Sequence, residues 1–188
     1  MIRDIQKVND DIIEMKRLIK QKILSDPDIL EALNNPEIEI DMDGFTSFDD
    51  PDLDWSGPDE FLDNNIYDFI RVPKIQDTVR NFICFTVDDI EENRWNEVMK
   101  TQYIQVYCIC HLDDMKTEYG MSRHDLLGYL IRDRINWSNI FGLQFKLIYN
   151  QEKPMDSDYY CRTLKFEATK PNHLNKARMD NPNDRLRR

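Results

Sequence analysis

Two apolar runs separated by a polar linker constrain this chain most, because both have the pattern of strands buried on both faces. Residues 80–88 have the sequence RNFICFTVD, and residues 102–111 have the sequence QYIQVYCICH. Both runs are rich in β-branched and aromatic side chains, which favour strands. The polar linker at 89–101 predicts a hairpin arm between them.

Three segments predict helices. In residues 1–24, apolar side chains recur at spacings of three and four and form one stripe. These side chains are Ile5, Val8, Ile12, Met15, Ile19 and Ile23. A short helix at 27–33 follows Asp26, which has the side chain of an N-cap. A third helix begins at Ser122, with Asp125 as its capping-box partner, and continues to about residue 136.

Two further strand-like runs lie at 143–149 and 159–167, and Pro171 stops the second. The chain therefore predicts an α+β fold with the order α-β-β-α-β-β. A long N-terminal helix would pack on a four-stranded, mostly antiparallel sheet that is interrupted by one helix. We divide the chain into a helical segment (1–36), an acidic insertion (37–73), an α+β core (74–171) and an extended basic tail (172–188).

The insertion is acidic and also aromatic. Between Glu37 and Asp68 the sequence has twelve acids and neither Lys nor Arg. Asp41, Asp43 and Gly44 resemble a calcium loop, but the EF-hand spacing is not met. One interpretation is a mobile acidic arm. The interleaved aromatic side chains indicate instead that it docks on a partner, because purely solvating segments have few of them.

The tail at 172–188 is basic and has little apolar content, which is typical of a segment that orders only on binding. Opposite charge makes the insertion and the tail candidate arms between subunits. The partner-binding residues predicted on this basis are Asp49, Asp50, Asp52, Asp54, Trp55, Phe61, Lys176, Arg178, Arg185 and Arg187.

The four cysteines lie inside apolar, strand-like runs. They are Cys84, Cys108, Cys110 and Cys161. We expect buried, reduced thiols that pack as small hydrophobic groups. A zinc site built on Cys108, Cys110 and His111 is disfavoured, because a C-x-C strand separates its thiols by about 6.5–7 Å and turns His111 to the other face.

The sequence contains no nucleophile elbow, no phosphate loop and no metalloprotease motif, and we expect no enzyme activity, no cofactor and no metal. A nucleophilic Cys/His pair would need Cys110 or Cys161 to meet a histidine across the fold, and cysteines in apolar strands are usually inert. The doublets Asp88-Asp89 and Asp113-Asp114 follow different strands of the hairpin, so they would lie at opposite ends and could not form a two-metal centre. Glu167 with Lys165 or Lys170 resembles part of a nuclease core, but a solvated strand end explains these residues better.

Composition excludes several other classes. The net charge of -11 disfavours a generic nucleic-acid binder, which would cover phosphates with Lys and Arg. No apolar run is long enough to span a membrane, and acids near the N-terminus disfavour an export signal. With only 5 Gly, the sequence has no Gly-rich phosphate loop.

Residues 80–171 resemble neck and tail-completion proteins of tailed bacteriophages, particularly tail terminators. The segments that carry the resemblance are RNFICFTVDD, MKTQYIQVYCICHLDD, SRHDLLGYLIRDRINWSNIFGLQFKL and DYYCRTLKFEATKPN. Those proteins have an N-terminal helix and a sheet whose strands are split by a helix. The acidic insertion departs from their minimal pattern, which leaves four neck positions open: terminator, stopper, adaptor or a ring of a short-tailed phage.

The resemblance implies a structural subunit of the virion neck, assembled in the host cytoplasm. Its partners would be copies of itself in a ring of six or twelve, adjacent neck, portal or tail proteins, and DNA only in passage through the lumen. The acids would either face the lumen and repel DNA or face outward and bind a basic neighbour. The competing class is a small acidic protein that mimics DNA and binds a basic nucleic-acid-binding partner.

Overall fold

The computed structural model describes residues 11–38, 40, 59–71, 79–93, 96–138 and 142–171. Its helices are α1 (Asp11–Leu24), α2 (Pro27–Leu33) and α3 (Arg123–Ile135). Its strands are β1 (Ile66–Tyr67), β2 (Phe82–Asn93), β3 (Asn96–His111), β4 (Lys146–Pro154) and β5 (Tyr159–Pro171). Short 3-10 helices span Asp59–Phe61 and Leu112–Asp114. The α+β class predicted from the sequence is confirmed.

The sheet has the strand order β1-β2-β3-β5-β4. β2, β3, β5 and β4 pair antiparallel, as predicted, and β2 and β3 form a hairpin that pairs from Phe82↔Ile109 to Asn93↔Asn96. The polar linker thus continues both strands, as expected of a hairpin arm. β5 reaches Pro171, four residues beyond its predicted end.

A fifth strand, β1, corrects the four-strand prediction. Ile66 pairs with Ile83 in parallel with β2, inside the segment assigned to the acidic insertion. Asn65 holds the pairing with two hydrogen bonds. Its side-chain Nδ2 donates to the Asn81 carbonyl, and its backbone carbonyl accepts from the Ile83 amide. Two residues are too short to show a strand period, so the sequence pattern could not reveal β1.

The three helices cover one face of the sheet, and the main core lies between the two layers. Alternate residues of β2, β3 and β5 face the helices, as the two-residue period of a strand requires. Phe85, Val106 and Phe166 are fully enclosed there, with Ile19 of α1 and Ile131 of α3 in the same cluster.

α2 and α3 begin where the sequence predicts. Asp26 caps α2 by accepting from the Asp28 amide at 3.0 Å. Ser122 is the N-cap residue of α3, but its hydroxyl donates to Asp125 Oδ2 at 2.6 Å and makes no cap to the backbone. The predicted capping box is therefore replaced by a contact between two side chains.

β4 lies three residues later than predicted. The Trp137 amide donates to the Phe145 carbonyl, and Asn136 Oδ1 accepts from the Leu147 amide, so this connection fixes where the strand begins. β4 then continues through the polar residues Asn150 to Lys153 and ends at Pro154. Polar side chains cost little there because β4 is an edge strand whose residues are mostly exposed.

Candidate functional site

A groove lies between α2, α3 and the loop that precedes α3. Its volume is about 580 Å³. The side chains that line it come from three places in the sequence: Asp28, Glu31, Ala32 and Asn34 from α2 and its C-cap, Lys116, Thr117, Glu118 and Tyr119 from the loop, and Arg123, Leu126 and Leu130 from α3.

Arg123 fixes the groove by tying α2 to α3 and the loop. Its Nη1 donates to the Ala32 carbonyl at 2.9 Å, its Nε donates to the Asp114 carbonyl at 2.7 Å, and its Nη2 donates to Asp114 Oδ1 at 2.9 Å. The side chain is buried, so the cation is satisfied within the protein rather than by solvent.

Asp114 also receives hydrogen bonds from two asparagine side chains. Its carboxylate also accepts from Asn34 Nδ2, at the C-cap of α2, and from Asn81 Nδ2, just before β2. Asn81 in turn donates to the Leu33 carbonyl and accepts from the His111 amide. This network holds one wall of the groove rigidly against the end of the β2–β3 hairpin.

The groove has an apolar floor and an acidic rim. Leu126 and Leu130 are half-buried one helical turn apart and pack on the core. Asp28, Glu31 and Glu118 are exposed around them, and none of the three pairs with a base among the described residues. The groove therefore suits a ligand with an apolar side chain flanked by cations.

The second face of the sheet carries no helix among the described residues. A small cluster of side chains packs there: Tyr67, Phe82, Cys84, Ile109, Tyr159 and Cys161. Beside it lies an open depression of about 510 Å³, bordered by Tyr107, Tyr149, Lys153 and Lys165. Lys165 Nζ lies 4.1 Å from the centroid of the Tyr103 ring, a cation–π contact on this open face.

A polar cluster that the sequence did not predict joins the start of α3 to β4 and β5. His124 Nε2 lies 3.1 Å from Glu152 Oε2 and 3.4 Å from Asp125 Oδ1. Arg162 bonds both carboxylates, through Nε to Asp125 Oδ1 at 2.6 Å and through Nη2 to Glu152 Oε2 at 3.2 Å. These residues are up to 38 positions apart, so no local motif could mark the cluster.

The cluster contains the atoms of a divalent metal site, since ligand atoms of His124, Asp125 and Glu152 lie within 4.8 Å of one another. The Arg162 guanidinium, however, lies between the two carboxylates, in the place that a metal cation would take. Burial alone would raise the pKa of Asp125, but hydrogen bonds from Ser122 and Arg162 lower it below its usual value. The donor set therefore fits an internal ion-pair network better than a metal centre.

All four cysteines are buried free thiols, which confirms the sequence interpretation. Burial raises the pKa of Cys84 to about 11 and also raises the pKa of Cys108 and of Cys110. His111 lies on the opposite face from Cys108 and Cys110, with its ring 4.9 Å from that of Tyr159. High pKa values and enclosure keep these thiols protonated and poorly nucleophilic.

The predicted partner-binding residues fall into two groups. The structure buries Phe61 completely, in the main core with β1, so Phe61 is not an exposed contact residue. The sequence did not indicate this burial, because Phe61 follows two acids. Asp59 and Glu60 are the exposed residues of a 3-10 turn, and Phe61, its third residue, is buried. Asp49, Asp50, Asp52, Asp54, Trp55, Lys176, Arg178, Arg185 and Arg187 lie outside the described residues.

The residues weighed for catalysis are separated. Glu167 lies on β5, opposite Tyr103 of β3 and Lys146 of β4. Asp88 pairs with Tyr103 within the hairpin, whereas Asp113 and Asp114 follow its His111 end. The two doublets are thus apart, as predicted. In the part of the chain that the structure describes, no helix has the length and apolarity to cross a bilayer.

Comparison with known protein families identifies a family described as YomW. Its model matches residues 26–168, which is more than half of the chain and includes α2, α3 and all described strands except the last three residues of β5. The name is of the type given to prophage genes, which indicates a phage-related family. No curated protein matches the chain significantly.

Proposed function

The chain belongs to the YomW family, and from this premise we propose that it is a structural subunit of a bacteriophage neck, where copies form a ring that joins or terminates the tail. DNA passes through the lumen of the ring in this proposal. Neighbouring neck, portal or tail proteins are its other partners.

The observation that carries the proposal is the free edge of the sheet. β4 pairs with β5 on one side only, over nine residues, and no described strand covers its outer side. Ile148 is 43% exposed on this strand. A long exposed edge presents unpaired backbone groups that another chain can extend.

The two edges of the sheet differ, which favours a closed ring. β1, at the opposite edge, has only two residues and cannot repeat the β4 surface. An interface between unlike surfaces of identical chains is heterologous, and it closes into a ring when the rotation per subunit allows. The acidic residues before Phe61 and the basic residues after Pro171 add complementary charge to such contacts.

A second candidate is an acidic protein that mimics DNA and binds a basic nucleic-acid-binding partner. The exposed carboxylates of Asp28, Glu31 and Glu118, together with the net charge of -11, favour it. Such a protein would act without self-association.

The mass of the purified full chain distinguishes the two. Light scattering across a concentration series should give a closed oligomer that is a fixed multiple of 22.6 kDa, and electron microscopy should show rings. A monomer or dimer at every concentration, together with binding to a basic DNA-binding protein, would contradict the ring and favour the mimic.

A further inference from the structure

We infer that the groove between α2 and α3 binds the basic tail, residues 172–188, of a neighbouring copy of this chain. The inference deepens the proposed ring and rests on it. It assigns one surface and one occupant to the contact between subunits.

The chemistry of the groove fits that occupant. Half-buried Leu126 and Leu130 offer an apolar floor, and the exposed carboxylates of Asp28, Glu31 and Glu118 surround it. Arg123, which also lines the groove, is neutralised by Asp114 and does not oppose a cationic ligand. Lys116 is the remaining base in the lining, so the rim is negative.

The tail carries the complementary pattern. It holds five bases, Lys176, Arg178, Arg185, Arg187 and Arg188, against Asp180 and Asp184. Leu174, Met179 and Leu186 are its larger apolar side chains, and each lies within two residues of a base. An apolar side chain on the groove floor would therefore bring a base to the acidic rim.

The position where β5 ends favours a neighbour's tail over the chain's own. Pro171 pairs with Met99, whereas the loop that carries Glu118 follows the His111 end of β3. The twelve residues between Met99 and His111 make these ends about 40 Å apart along the strand. Leu174 and Met179, three and eight residues after Pro171, extend at most about 11 Å and 29 Å and fall short of that distance. Leu186, fifteen residues after Pro171, covers it only when the tail is close to fully extended, which is costly in conformational entropy.

Such a contact joins unlike surfaces, since a tail on one copy enters a groove on the next. Repetition gives a heterologous interface, which is the type that closes into rings. The groove lies away from β4, so this contact adds to pairing along the sheet edge rather than competing with it.

Charge reversal in the full chain tests the contact. One variant carries Glu31→Lys and Glu118→Lys, and a second carries Lys176→Glu, Arg178→Glu, Arg185→Glu and Arg187→Glu. Each alone should raise the concentration needed for assembly about tenfold or more, as light scattering measures. Mixing the two variants in equal amounts should restore assembly, because the groove of each variant then meets a tail of opposite charge on the other. A control with Asp88→Lys and Asp158→Lys, two exposed acids outside the groove, should assemble normally.

A direct binding measurement separates this inference from the ring itself. A labelled peptide of residues 172–188 should bind the tail-reversed full chain, as fluorescence anisotropy shows, and should lose binding when Glu31→Lys and Glu118→Lys are added. If the wild type forms rings but the groove variant assembles and binds peptide equally well, the groove assignment is wrong and the ring stands. If the peptide binds as expected to a chain that never forms rings, the groove stands and the ring fails. If mixing the two charge-reversed variants does not restore assembly, the assignment of the tail to the groove of a neighbouring copy is wrong.

Discussion

Arg162 lies across α3 at Gly128, so closely that a Cβ at position 128 would be 2.5 Å from Arg162 Cδ. Beyond this crossing, the guanidinium bonds Asp125, Asn150 and Glu152. A residue without a side chain is thus needed for one arginine of β5 to pass the helix and hold its first turn and the edge strand together.

Gly128→Ala should destabilise the protein by about 1–2 kcal/mol, as urea unfolding measures, although alanine is the better helix former by about 1 kcal/mol. The new methyl group displaces the stem of Arg162, whose far end is held by three acceptors. In an Arg162→Ala background the obstruction is absent. There the same substitution should be neutral or stabilising, and an equal loss in both backgrounds would contradict the close approach.

Asp125 should make the folding stability of the protein depend on pH in the acidic range. Its folded pKa is lowered because hydrogen bonds from Ser122 and Arg162 outweigh burial. The stabilisation is therefore complete above the unfolded value of about 3.9 and is lost as pH falls through the folded value. Asp125→Asn should make the urea midpoint depend less on pH between about pH 4 and pH 2. Asp158→Asn, which removes an exposed carboxylate in the β4–β5 turn, is the matched control, and an equal effect there would contradict the assignment.

Arg123 should be among the costliest charged residues to remove. Arg123→Met leaves Asp114 and the Ala32 carbonyl without their buried donor, and the expected loss is about 3–5 kcal/mol of unfolding free energy. Arg17→Met removes an exposed ion pair with Glu14 on α1 and should cost far less. Similar urea midpoints for the two variants would show that the Arg123 network does not hold α2 to α3.

Phe61 should behave as a core residue. Phe61→Ala removes a completely buried ring and should cost about 3–5 kcal/mol. Phe69→Ala, at a ring that is 50% exposed eight residues later, should cost less than about 1 kcal/mol. Thermal unfolding of the two variants checks this. If the Phe61→Ala protein were as stable as the wild type, Phe61 would not be a core residue.

The main strands and helices were predictable because each has a local sequence signature. β2, β3 and β5 correspond to runs of nine or ten residues that are rich in β-branched and aromatic side chains, and α1 carries an apolar stripe at helical spacing. Capping by Asp26 also follows from local sequence. These features are encoded within one turn or one strand, so neighbouring residues suffice to reveal them.

β1 and the groove depend on contacts between residues that are distant in the sequence. β1 exists because Asn65 bonds Asn81, sixteen positions away. The groove requires Arg123 to reach Ala32 across 91 positions. No local pattern reports such pairs, so the sequence identified the acidic and basic segments by charge but not the surface that would receive either.

The most direct measurement of the central claim is electron cryo-microscopy of purified particles of the phage that encodes this chain. The account predicts a closed ring of this α+β fold at the head–tail junction, with tail density of each subunit in the α2–α3 groove of the next. Complete, infectious particles whose neck contains no copy of the chain would contradict it.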